Sequence, residues 1–222
     1  MILIEVPSCM KPLADCYLYT FVDAGYLHGR PAADLARQLC EGGSDIIQLR
    51  AKDTPIDEVR RMAESILPIT QQAGIPLVIN DHLEVAIEVG APLCHLGQED
   101  FFDAGHLRVA ELIPPGSQLQ IGLSSHAPAQ AQRAIRAGAA CLGVGPVFPT
   151  ATKPESEPAT LDYVRWAAAQ VTIPWFAIGG INLENLDSVV AAGGRRVCVV
   201  SAILNAPDIA KACQQFKKRL SV

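Results

Sequence analysis

The chain has 222 residues, half of them hydrophobic and 18% charged, with a net charge of -5 at pH 7. That length holds one large core, a little below the roughly 250 residues usual for a (β/α)8 barrel, and the sparse charge suits strands covered on both faces. The negative balance excludes a global basic field for nucleic acid, and seven cysteines without a CxxC pair read as reduced cytoplasmic thiols, not as a disulfide framework or zinc site.

The first residues carry no basic start, and Glu5 and Pro7 interrupt the apolar run, so no secretion signal is expected. Every apolar stretch is strand-sized, too short to span a bilayer. Residues 1–15 are read as an N-terminal extension, an extra strand, a barrel plug or a loose arm. Residues 16–222 are read as the catalytic domain.

In chain order, short β-rich runs fall at 16–22, 46–50, 77–80, 94–96, 120–124, 141–147, 175–178 and 197–201. Amphipathic stretches separate them, eight of each kind. Examples are 32–39 and 56–72, where Val59, Met62, Ile66 and Ile69 recur at helical spacing. Glycines at Gly42–Gly43, Gly74, Gly90, Gly138 and Gly193 stop these helices just before the next strand. Such repeated βα units make a parallel sheet. An open doubly wound sheet would usually carry a glycine fingerprint after its first strand, whereas Asp23 is followed only by Ala24-Gly25-Tyr26. The expectation is a single (β/α)8 TIM barrel.

In such a barrel the reacting groups sit where strands end. The second strand closes with Gln48, Arg50 and Lys52, which a period of two places on one side, toward the mouth. The third ends in Asn80-Asp81, and the fourth is followed by Gln98-Glu99-Asp100. Asp81 and Asp100 offer oxygen ligands for Mg2+; the plainer reading makes one a helix cap and the other a turn residue. The fifth strand ends in Ser124-Ser125-His126, where a hydroxyl can hold a phosphate and His126 can move a proton or serve as a structural donor. The stretch from Gly143 to Lys153 lacks helix signals and holds Thr150, Thr152 and Lys153. The seventh and eighth strands end in Gly179-Gly180 and Val200-Ser201, the usual place for a backbone phosphate cradle, although glycines at a tight turn need no ligand.

The segments 48–52, 78–81, 95–100, 143–153 and 177–181, in this order and spacing, resemble the thiamine-phosphate synthase family from about Leu18 to Ile203. The resemblance implies joining 4-amino-2-methyl-5-hydroxymethylpyrimidine diphosphate to hydroxyethylthiazole phosphate, with Mg2+ assisting release of diphosphate. It implies that Gln48, Arg50, Lys52, Asn80, Ser124 and Lys153 hold the pyrimidine diphosphate, with Lys153, Arg50 and Lys52 stabilising the leaving group. Asp81 and Asp100 would hold the metal, and Thr150, Thr152, Gly180, Val200 and Ser201 the thiazole phosphate. The chain departs from the family pattern at Ala51, where Glu is common, and in residues 154–160, which lack a frequent glycine. A related thiazole tautomerase, with His126 as proton shuttle, and a non-catalytic barrel that binds thiamine precursors are the competing readings. Tyr163, Trp166 and the N-terminal arm are the candidate surface for a homodimer.

Overall fold

The structure is a computed structural model that describes residues 10–150 and 160–220. Eight strands, β1 (Leu18–Asp23), β2 (Ile46–Arg50), β3 (Leu77–Asn80), β4 (Leu93–Leu96), β5 (Gln120–Ser125), β6 (Cys141–Val144), β7 (Trp175–Ala177) and β8 (Val197–Cys198), form one sheet in chain order. All pairs are parallel, and β8 pairs back onto β1 through Leu18↔Val197 and Tyr19↔Cys198, which closes the barrel. The expected (β/α)8 barrel is therefore what the chain forms. Two strands are shorter than their apolar runs. β6 stops at Val144 because Pro146 has no N–H for the ladder, and β8 stops at Cys198 because Ser201 already opens a helix.

The helices are α1 (Ala32–Glu41), α2 (Ile56–Gln72), α3 (Leu83–Val89), α4 (Pro128–Ala137), α5 (Thr160–Gln170), α6 (Leu186–Ala191), α7 (Ser201–Leu204) and α8 (Ile209–Leu220). Their placement corrects the expected strict alternation. No α-helix joins β4 to β5; a π-helical turn at Glu99–Asp103 and a 3-10 turn at Val109–Glu111 do so instead. Gly105 and Pro114-Pro115-Gly116 break helical continuity there, and buried Phe101 and Phe102 cover the sheet in place of a helix. After β8 two helices follow, and the apolar face of α8, with Cys213 and Phe216, packs against α1. Burying a side chain such as Leu35, Leu39 or Phe216 stabilises the fold by about 2 kcal/mol each.

Residues 10–17 run across the N-terminal ends of β1, β2, β3 and β8. Asp45, just before β2, is the centre of this crossing. Its carboxylate accepts the backbone N–H groups of Tyr17 and Leu18, both at 2.9 Å, and pairs with Lys217 of α8 at 2.6 Å and with Lys11. Burial alone would raise the Asp45 carboxyl, but hydrogen bonds from Lys11, Lys217, Leu18 and Tyr17 outweigh it and hold the group below its ordinary value. Arg196 Nη2 donates to the Ala14 carbonyl at 2.6 Å. The described part of the extension is thus a cover on the underside, and it leaves the opposite rim open.

Tyr163 is buried, and its hydroxyl donates to Ser125 Oγ at 2.8 Å, tying α5 to β5. It is a packing residue of the barrel and presents no surface to a second copy.

Candidate active site

The period of two along each strand turns alternate side chains inward, and at the C-terminal half of the barrel these side chains line a single cavity. Tyr19 and Phe21 come from β1, Gln48 and Arg50 from β2, Asn80 from β3, His95 from β4 and Ser124 from β5. Phe176, Cys198 and the loops after β6, β7 and β8 complete the wall. Small residues create the space. A Cβ on Gly122 would lie 2.9 Å from the His95 ring, so glycine there leaves room for the imidazole inside the barrel.

The residues expected from the second strand divide. Gln48 and Arg50 line the cavity, whereas Lys52 lies beyond the end of β2, in an exposed turn, and does not. The alternation that was extended to Lys52 ends where the β-ladder ends. Asn80, Ser124, Thr150, Gly180, Val200 and Ser201 all line the same cavity. Thr152 and Lys153 lie outside the described residues.

Asp81 directly follows β3 with a left-handed φ of 63°, an uncommon conformation for a residue with a side chain. It is over-determined by its neighbours. Its N–H donates to the His95 carbonyl at 2.9 Å, and its Oδ2 accepts Asn80 Nδ2 at 2.6 Å. Asp100 lies in the π-helical turn after β4, where its Oδ2 accepts the Gly97 N–H at 3.1 Å. The plainer expectation of a turn role thus holds for Asp100 alongside any other. Burial, then the negative charges of Asp81, Glu84 and Asp100, push the Cys94 thiol up. Among the described residues no group of three or more His, Cys, Asp and Glu side chains is arranged to hold a metal. Two hard carboxylates at one rim fit an ion that fills its shell with water and phosphate oxygens, as Mg2+ does.

Several functional partners were not singled out from the sequence. Gln48 Nε2 donates to Tyr19 Oη at 2.6 Å, and burial followed by the neighbouring thiols keeps that phenol protonated, its pKa well above the ordinary value. Tyr19 stacks on Phe21 and meets Phe176 edge-on, an aromatic wall suited to a flat heterocycle. His95 Nε2 lies 2.9 Å from Ser124 Oγ, and Gln98 Nε2 donates to the Ser124 carbonyl at 2.5 Å, so Ser124 is held on two sides. Arg50 Nη1 donates to Asp23 Oδ2 at 2.7 Å. Alternation along Tyr19, Phe21 and Asp23 was the available signal; which strand they would face was not. His126 lines the cavity, with Nδ1 bonded to the Gly145 carbonyl.

The loops after β6 and β7 are locked together, backbone to backbone. Val147 N–H donates to the Ile178 carbonyl at 2.8 Å and Phe148 N–H to the Gly179 carbonyl at 3.1 Å. Gly179 and Gly180 have φ of 103° and 63°, and a Cβ on Gly180 would lie 2.5 Å from the Pro149 carbonyl oxygen. The pair of glycines is required by this close approach, which also sets Thr150 beside Gly180 at the cavity wall.

Comparison with known proteins gives the family. A family model described as thiamine monophosphate synthase matches residues 18–203. A thiamine-phosphate synthase of Lawsonia intracellularis is 36% identical over 208 residues, covering 93% of each chain. One of Thermus thermophilus is 42% identical over 188 residues, covering 84% of this chain and 88% of its own. The solved thiamine phosphate pyrophosphorylase of Pyrococcus furiosus superposes with a TM-score of 0.82 at 32% identity, covering 93% of this chain and 96% of its own. With the match running from the first barrel strand to the helix after the last, the chain belongs to the thiamine monophosphate synthase family.

Proposed function

We propose that the chain joins 4-amino-2-methyl-5-hydroxymethylpyrimidine diphosphate to hydroxyethylthiazole phosphate, releasing diphosphate and forming thiamine phosphate. One observation carries this reading. Gln48, Arg50, Asn80 and Ser124, the groups for the first substrate, and Thr150, Gly180, Val200 and Ser201, the groups for the second, line the same cavity.

The chemistry follows from that juxtaposition. The bond between the pyrimidine methylene carbon and the diphosphate oxygen breaks, the electron pair leaves with diphosphate, and the remaining cation is delocalised into the aminopyrimidine. The thiazole nitrogen then closes a C–N bond with its lone pair. No protein nucleophile is required, because holding two reactants face to face supplies much of the rate. Gln48, fixed by Tyr19, holds the pyrimidine against the aromatic wall, while Asn80 and Ser124 bind at its diphosphate end. Arg50, together with Lys52 and Lys153, stabilises the charge that grows on the leaving group. Asp81 and Asp100 would hold Mg2+, which would supply further positive charge at the leaving group. His126, bonded to Gly145, serves as a positioning donor, since the coupling moves no proton that needs a shuttle.

We place the reaction in the cytoplasm. The described cysteines are all free, and no helix among the described residues is long and apolar enough to cross a membrane.

Incubating the purified protein with both substrates and Mg2+ tests the reading. Thiamine phosphate and diphosphate should appear in equal amounts. A tautomerised thiazole phosphate without coupling, or no product, overturns it.

A further inference from the structure

Arg50 reaches the cavity already engaged. We propose that Asp23 is a positioning residue that aims Arg50 at the departing diphosphate, an inference that rests on the synthase reading.

Asp23 and Arg50 are the last residues of β1 and β2, and the parallel register sets them directly opposite each other. Asp23 Oδ2 accepts Arg50 Nη1 at 2.7 Å, while Oδ1 accepts the Gly25 N–H at 2.9 Å. Both carboxylate oxygens are therefore committed, one to the backbone that follows β1 and one to the guanidinium. The Asp23 side chain is 3% exposed and that of Arg50 16%. A guanidinium anchored through Nη1 loses part of its freedom to swing, and Arg50 lines the cavity with its remaining N–H donors uncommitted to Asp23.

A cap for the turn after β1 would need only Oδ1. A carboxylate this close to an anionic substrate is, as bare charge, unfavourable to binding. The two roles predict opposite signs. If Asp23 only offsets the Arg50 charge, its neutralisation strengthens anion binding; if it aims the fork, neutralisation weakens it.

The test uses the full-length protein, inorganic diphosphate with Mg2+ as calorimetric ligand, and steady-state kinetics. Asp23→Asn should weaken diphosphate binding about tenfold and lower kcat on the order of tenfold to a hundredfold, as for a misplaced positioning group. KM for the thiazole phosphate should stay within about twofold. In an Arg50→Ala background, Asp23→Asn should weaken diphosphate binding no further, because the group it acts through is gone and only the repulsion of its bare charge is left to remove. Asp23→Glu keeps the charge but displaces it by a methylene and should give an intermediate loss; it carries the test if Asp23→Asn does not fold. Unchanged or tighter diphosphate binding in Asp23→Asn, a wild-type result for Asp23→Glu, or losses that multiply with Arg50→Ala overturn the proposal. Failure of the wild type to make thiamine phosphate overturns the synthase reading instead, and the affinity comparison remains readable without it.

Discussion

Removing the Tyr19 hydroxyl tests how far the barrel interior presets the pyrimidine pocket. Gln48 is buried and its Nε2 has that hydroxyl as partner, so Tyr19→Phe leaves the amide short of a hydrogen bond without opening a cavity. KM for the pyrimidine diphosphate should rise about tenfold, and a urea titration should show a loss of about 1 kcal/mol, the usual size for one buried hydrogen bond. Lys153 differs in kind. Its assigned role is charge in the transition state, so Lys153→Ala should lower kcat on the order of 10²–10³ with an unchanged urea midpoint. Near-normal turnover in that variant removes Lys153 from leaving-group stabilisation. Arg50 and Lys52 were expected together. The structure sets the first in the cavity wall and the second in an exposed turn, so Arg50→Ala should cost more turnover than Lys52→Ala, measured side by side.

At the scale of elements, the site depends on two loops that share a backbone interface. Gly180→Ala forces a side chain into a left-handed conformation and sets its Cβ against the Pro149 carbonyl. Strain and displacement together should destabilise the protein by about 2 kcal/mol and raise KM for the thiazole phosphate, since Thr150 and Gly180 line the same wall. KM for the pyrimidine diphosphate is the control and should change less. If both KM values move equally, the loops do not divide the cavity between two substrates. The absent helix between β4 and β5 belongs to this scale too. Asp100 sits in the turn that takes its place, directly after β4.

For the whole molecule, the underside cluster ties the N-terminal cover and α8 to β2 through one carboxylate. The Asp45 carboxyl is held below its unfolded value of about 3.8, so its contribution is fully present above that pH and is lost as pH falls through the lower folded value. Asp45→Asn should cost about 2 kcal/mol at pH 7, and its melting midpoint should converge on that of the wild type below about pH 4. A constant difference down to pH 2 would falsify the ionic role. Burial also raises the thiols of Cys16, Cys141 and Cys213 to about 12 and Cys40 to about 11, with Cys94 and Cys198 raised as well. In a variant carrying Cys9→Ser and Cys40→Ser, a thiol reagent at pH 8 should react with the five buried thiols at the rate of unfolding.

Barrel class, strand positions and helix stops were legible in the residues because each is written locally: apolar runs of strand length, helical spacing between them, and glycines such as Gly90 and Gly138 that adopt left-handed caps. Gln48, Arg50, Asn80 and Ser124 were legible as cavity-wall residues for the same reason, since the ends of barrel strands face the mouth wherever the chain closes. The tertiary structure alone decided which groups meet across strands. Asp23 faces Arg50, Tyr19 reaches Gln48 and His95 reaches Ser124 because of ladder register and barrel closure, which depend on pairings between residues 27 to 29 positions apart. It also decided where alternation stops, which is why Lys52 leaves the wall that Arg50 joins. Local pattern determines which way a side chain points along its own strand; what it touches depends on the neighbouring strand, and that contact exists only once the sheet has closed.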